Sequence, residues 1–501
     1  MDVVPLPPIR HLRSVLRGLS GNPALGQDLA VDLLPHLMSA IRLVLRAGTG
    51  PGTTLCEAFL ADGRALELAH APVLPDGIAA RLAAHPDPEV RARRAQEEGP
   101  KAGRHALFAR DPEPAVRIGL ADNPRLAPEQ AAVLAADGDR TVRQTLAQRR
   151  QTPEEDVLRT LLTDPDAEVR ATACRRHRPP DDLHRVLFAD PAVRSRIVPF
   201  LHLAPDTAAE LAADPDEDVR EALAAHPELP AALRDTLAGD ASPYVRAEVF
   251  RRADTPPDQR ARIHAWLTAG ARRFDEGLPP PGPVGGEGWD LDETDLGCKL
   301  AMAGVSTGAY PWVQADPLPH TSSPYPGLRL AAACSERLPL DARRAMLADE
   351  DAAVRLVALA RLPEVDPAVA EDLDRRHHRQ TKFRDRPADY AAFPPETLRR
   401  FAGDPDAWIR VLALRDPELP SVLLERLAAD EAESVRRACA RHPRLPVEAL
   451  VRLLGDAEES VAEAAAAAPG LPPEVMRAVL GQADTAAGPP PPAAPCDGGC
   501  R

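Results

Sequence analysis

The sequence predicts an all-α fold, a solenoid of short two-helix repeats of about 26 residues each, interrupted by one long insertion. Three observations predict it. A Val-Arg step recurs at fixed spacing, with Val90, Val116 and Val142 each 26 residues apart. Many of the 56 prolines fall at fixed places between apolar runs, so they punctuate structure. Aromatics are only 3% of 501 residues, so a core must be filled by Leu, Val and Ala, which suits thin helical layers. A single compact core rarely grows past about 250–300 residues, which leaves several domains or an elongated array.

The repeat is sought first because it decides the fold. After Val142 the anchors continue at Val169, Val193, Val219 and Val245, then resume at Leu328, Val354, Ile409, Val435 and Val461. The unit from Asp214 to Gly239 shows the grammar. Asp214 is expected to cap a helix through its carboxylate. Pro215 is then tolerated in the first turn, where its missing donor has no partner anyway. Asp216, Glu217 and Asp218 complement the helix dipole. Val219, Ala222 and Leu223 form one apolar face. His226-Pro227 ends the helix, because the residue before proline is pushed out of the α region. Leu229-Pro230 opens a second helix with Leu233, Leu237 and Ala238 inward. Helices this short are marginal alone and gain stability only by packing on their neighbours.

The Asp-Pro-x-x-x-Val-Arg opening (Asp164 to Arg170), the Asn-Pro or His-Pro break (Asn123-Pro124) and the Leu-Pro second helix (Leu229-Pro230) resemble the leucine-rich repeat variant family. The resemblance covers nearly the whole chain and implies a right-handed, HEAT-like superhelix. It says almost nothing about function. An iron–sulfur cluster described in that family is held by cysteines before the repeats; the first cysteine here is Cys56, so that feature does not carry over.

In chain order, residues 1–62 read as degenerate N-terminal capping repeats, beginning with Asn22-Pro23-Ala24-Leu25. Residues 63–273 form a repeat array. Residues 274–325 form a Pro/Gly- and aromatic-rich insertion holding Trp289, Tyr310, Trp312 and Tyr325. These aromatics either grip a partner or plug the seam between two arrays. Residues 326–482 form a second array with an irregular basic unit at 375–386. There Arg375, Arg376, Arg379, Lys382, Arg384 and Arg386 stand against Asp385 alone, a local charge of +5. Such a run either contacts an acidic partner or phosphate, or is a solvated helix face. Residues 483–501 are a Pro-rich tail expected to be disordered, with Cys496 and Cys500 near its end.

A net charge of −15 argues against the whole molecule binding nucleic acid or an anionic membrane. No uninterrupted apolar run of about 18 residues is present, so no transmembrane helix is expected. Seven dispersed cysteines suggest reduced thiols and a cytoplasmic address. The arginines after each anchor (91, 117, 143, 170, 194, 220, 246, 329, 355, 410, 436) form a ladder expected to pair with acids of neighbouring units. No Gly-rich phosphate loop, nucleophile elbow or zinc-protease motif occurs, so no catalytic residue, metal ligand or cofactor is assigned. The reading is a non-enzymatic scaffold binding a protein or peptide on its concave face and central insertion. Its contact residues would be Trp289, Tyr310, Trp312, Tyr325, Arg375, Arg376, Arg379, Lys382 and Arg384. The alternatives are a HEAT-like nucleic-acid-binding protein or DNA glycosylase relative, and a thiol or metal binder using the C-terminal cysteine pair.

Overall fold

The computed structural model describes residues 6–45, 50–99, 102–277, 293–377 and 386–487. All regular structure among them is helical, and none of these helices is long and apolar enough to cross a membrane. Contacts divide the chain into two compact units, Met1–Thr152 with Phe393–Arg501, and Pro153–Ala392.

The recurring anchors build the cores of both units. Every anchor from Val90 to Val461 is buried, none more than 3% exposed. In the first unit the helix Pro88–Glu97 packs on Pro114–Ala121, which packs on Arg140–Arg149. Glu433–Cys439 packs likewise on Glu459–Ala466. Between them run the second helices, such as Asp76–Ala83 and Pro128–Ala135, each laid against the anchor helix that follows it.

The expected cap is displaced by two residues. Glu217–Ala224 is capped by Asp216, whose carboxylate accepts the Asp218 N–H at 3.0 Å. Asp214 lies upstream, accepts the Asp216 N–H at 2.9 Å and pairs with Arg194. The reason lies in Arg220, whose Nη1 donates to the Asp214 and Pro215 carbonyls at 2.9 and 3.1 Å, so the helix starts beyond them.

The first unit also joins the chain's two ends. Leu12–Ser20 packs on Glu459–Ala466, the helix of the last anchor, Val461. The register matches that of consecutive helices. Gly119 stands three residues after buried Val116, and a Cβ there would lie 2.3 Å from the Ala92 carbonyl oxygen. Gly18 stands three residues after Val15, itself 0% exposed, and a Cβ there would lie 2.3 Å from the Glu463 carbonyl oxygen. Arg17 and Arg42 both pair with Glu463 across this contact.

In the second unit Glu217–Ala224 packs on Pro243–Arg251. Next comes a helical hairpin, Pro257–Gly277 against Glu293–Val305, so the segment read as an insertion is partly helical. Cys298 fits against Gly270 at its core, where a Cβ on the glycine would lie 2.5 Å from the sulfur. Glu293–Val305 lies against Pro243–Arg251 and approaches Pro326–Cys334, where Gly327 faces the Val305 carbonyl. It thus occupies a place between two anchor helices that its own sequence does not announce.

Candidate functional site

Two hydrogen-bond ladders set the surface on which any site must be built. In the first, the arginine after an anchor grips an aspartate 20 residues ahead. Arg117 meets Asp137 through Nε at 2.7 Å and Nη2 at 3.0 Å, and Arg220 meets Asp240 at 2.8 and 3.0 Å. Among the described residues Arg91, Arg170, Arg194, Arg329, Arg410 and Arg436 form the same pairs with Asp111, Asp190, Asp214, Asp349, Asp430 and Asp456. Burial would raise the Asp240 pKa, but the Arg220 guanidinium and the Ser242 N–H outweigh it and hold the carboxyl below its usual range.

The second ladder runs through the Asn-Pro and His-Pro breaks. Asn123 donates to the Ala95 and Glu98 carbonyls at 2.8 and 2.9 Å. Its own amide oxygen accepts the Arg125 N–H. His226 and His442 contact the Leu201 and Asp416 carbonyls, each at 3.0 Å. These side chains satisfy carbonyls that a helix end leaves without an internal partner.

The aromatic residues singled out from sequence meet in the second unit. Tyr310 is fully buried and donates to the Val305 carbonyl at 2.6 Å. Burial pushes its pKa up to about 12, so the phenol stays protonated. Trp312 donates through Nε1 to the Arg251 carbonyl at 2.8 Å and meets Tyr310 edge-on. Tyr325 lies edge-on to Phe250 and tilted on His264, with centroids 5.2 and 4.9 Å apart. Buried Arg260 lies over Phe250 and Trp312 while donating to the Phe250 and Arg252 carbonyls. Burial lowers the pKa of His264 and of His320, which keeps both neutral at physiological pH. The cluster ties the hairpin and the turns after it to Pro243–Arg251. Trp289 lies outside the described residues.

In the basic unit the described guanidiniums each meet a carboxylate. Arg375 pairs with Glu371, Arg376 with Asp372, and Arg386 with the buried Asp374. Arg379, Lys382 and Arg384 lie outside the described residues, as do Cys496 and Cys500. Cys56, Cys174 and Cys439 are buried, with thiol pKa values raised by burial to about 11, 11 and 12, which makes them unreactive packing residues.

Other features escape sequence reasoning. At Arg246 the residue 20 ahead is Trp266, and the guanidinium stacks on that indole at 3.8 Å. Beside the basic unit a groove of about 830 Å³ opens between Leu347, Leu362, Val365, Val369 and Leu373, with Arg344 and Arg376 at its polar edge. These residues belong to different helices and turns, and no periodic signal marks them as neighbours. No family model matches the chain, and no curated protein matches it significantly.

Proposed function

We propose that the chain is a non-enzymatic repeat scaffold, a right-handed α-solenoid akin to leucine-rich repeat variant proteins, that binds a protein or peptide partner. The observation that carries this reading is the apolar groove in the second unit. Its volume of about 830 Å³ lies within the range of ligand-binding recesses, about 300–1,000 Å³, room enough for a few partner side chains. Its walls are aliphatic, and Arg376 at its edge is one of the contact residues suggested by the basic run. Repeat arrays commonly serve as extended binding surfaces. Trp312 and Tyr325 then act mainly as supports, since their rings pack on Phe250, His264 and Tyr310.

The test is affinity capture with the full chain and quantitative mass spectrometry. Val369, 37% exposed, lies in the groove; Val422, 74% exposed, lies on a helix of the other unit. Val369→Asp is expected to lose a protein that wild type and Val422→Asp both retain. Recovery of no protein above background, or the same proteins from all three, refutes the scaffold reading at this groove.

A further inference from the structure

Arg355 departs from the ladder. Its Nη1 donates to the Asp349 and Glu350 carbonyls at 2.7 and 2.9 Å, as Arg220 does to Asp214 and Pro215. In rungs such as Arg117, Arg220, Arg410 and Arg436 this anchoring leaves Nε and Nη2 aimed at an aspartate 20 residues ahead. From Arg355 that position is Arg375. The helix Pro367–Arg376 runs on through the register where the aspartate loop stands elsewhere. The nearest carboxylate in sequence, Asp374, is taken by Arg386 and by the Ala388 N–H. Among the described residues Arg355 has only its two carbonyl partners. It is partly exposed and lines a small recess with Leu356, Leu359, Leu373, His377 and Pro387.

We propose that Arg355 is a binding site for a carboxylate supplied by an acidic partner peptide. The chain itself shows which ligand such a fork takes: eight sister arginines, fixed by the same carbonyl contacts or close variants of them, hold carboxylates. A planar guanidinium matches a carboxylate with two parallel hydrogen bonds. The recess beside Arg355 is small, about 10 Å³, but Leu373 borders both it and the larger groove, where the flanking side chains of a peptide would rest. The inference rests on the scaffold reading and names its partner as acidic.

The test is fluorescence anisotropy with the full chain at low salt and two labelled probes. One is a short peptide alternating Asp and Leu with an amidated end, which offers side-chain carboxylates. The other alternates Asn and Leu with a free C-terminal carboxylate. At least one is expected to bind, and the comparison identifies the source of the carboxylate. Arg355→Ala should weaken that probe roughly ten- to hundredfold, the range for a charge-assisted hydrogen-bonded pair. Arg355→Lys should weaken it too, because an ammonium lacks the fork. His377→Asp, which places a carboxylate in the recess that Arg355 lines, should also block the probe. Arg361→Ala should leave binding intact. Failure of both probes on wild type, or equal binding to Arg355→Ala, overturns the inference. If Arg355→Ala does not fold, unchanged binding by His377→Asp overturns it instead. A captured partner that survives Arg355→Ala yet is lost with Val369→Asp sinks this site and leaves the scaffold reading standing.

Discussion

Removing the rung at Arg220 should cost far more than removing an exposed ion pair of similar appearance. Arg220 and Asp240 side chains are 16% and 9% exposed and share two short hydrogen bonds, while Nη1 holds two carbonyls. Arg220→Ala therefore strands a mostly buried carboxylate and two backbone acceptors. Breaking a buried pair from one side costs about 3–5 kcal/mol, and partial exposure places this one near the lower end, about 3 kcal/mol. Arg159 also grips a carboxylate, Asp182 at 2.8 Å, but the two side chains are 38% and 62% exposed. Water screens that pair, and Arg159→Ala should cost far less. Both pairs lie in the same unit, so one assay reads both. Urea denaturation followed by circular dichroism gives the loss, and hydrogen exchange at Glu217–Ala224 locates it if unfolding proceeds in stages. A double-mutant cycle with Asp240→Ala should return a coupling of about 2 kcal/mol. Equal losses for Arg220→Ala and Arg159→Ala, or a coupling near zero, would refute the claim that the ladder holds the helices together.

The remaining predictions follow the same chemistry. Asn123→Ala should destabilise the first unit by about 2–3 kcal/mol, since it leaves two buried carbonyls without donors; a chemical melt reads this, with Arg125→Ala as the milder control. Gly119→Val and Gly18→Val should both disrupt packing, because each side chain would enter a carbonyl 2.3 Å from its Cβ; wild-type melting for Gly18→Val would show that the end-to-end contact is dispensable. Acid should weaken the ladder. Folded pKa values of Asp111, Asp240, Asp430 and Asp456 are depressed. Their stabilisation is therefore full above the unfolded value of about 3.9 and lost as pH falls through the folded values. Thermal midpoints should drop steeply below about pH 4. His105 acts in a higher window. It is 0% exposed, and burial outweighs the Glu98 and Gly99 backbone beside the ring and lowers its pKa. Its contribution is present above the unfolded value of about 6.5 and falls as pH drops toward the folded pKa, so His105→Leu should reduce the loss of stability below about pH 6.5.

Much of the local structure was legible because it depends on near neighbours in sequence. The valine spacing picks out residues that are all buried, and the prolines mark where helices start and stop. The Arg-to-acid pairing was legible as a ladder, although the cap was placed at Asp214 and belongs to Asp216. The error is physical: an aspartate before proline has two uses, capping or receiving an arginine from the preceding unit, and only the neighbour decides between them. Aromatic enrichment at Tyr310, Trp312 and Tyr325 marked a special place, but composition cannot say whether a ring faces a partner or the protein's own Phe250 and Arg260.

By itself the sequence determined the all-helical class and the burial of the anchor residues. Periodicity and capping act within a few turns of chain, so one strand of text carries them. The tertiary structure alone decided what lies far apart in that text. It set Asn22 against the Ala466 and Ala468 carbonyls, at separations of 444 and 446 residues. It laid Trp266 under Arg246 in place of an aspartate. It also carried the helix Pro367–Arg376 through the register of a rung and so left Arg355, among the described residues, with its two carbonyl partners. Each outcome depends on which surfaces meet, and packing rather than periodicity sets that.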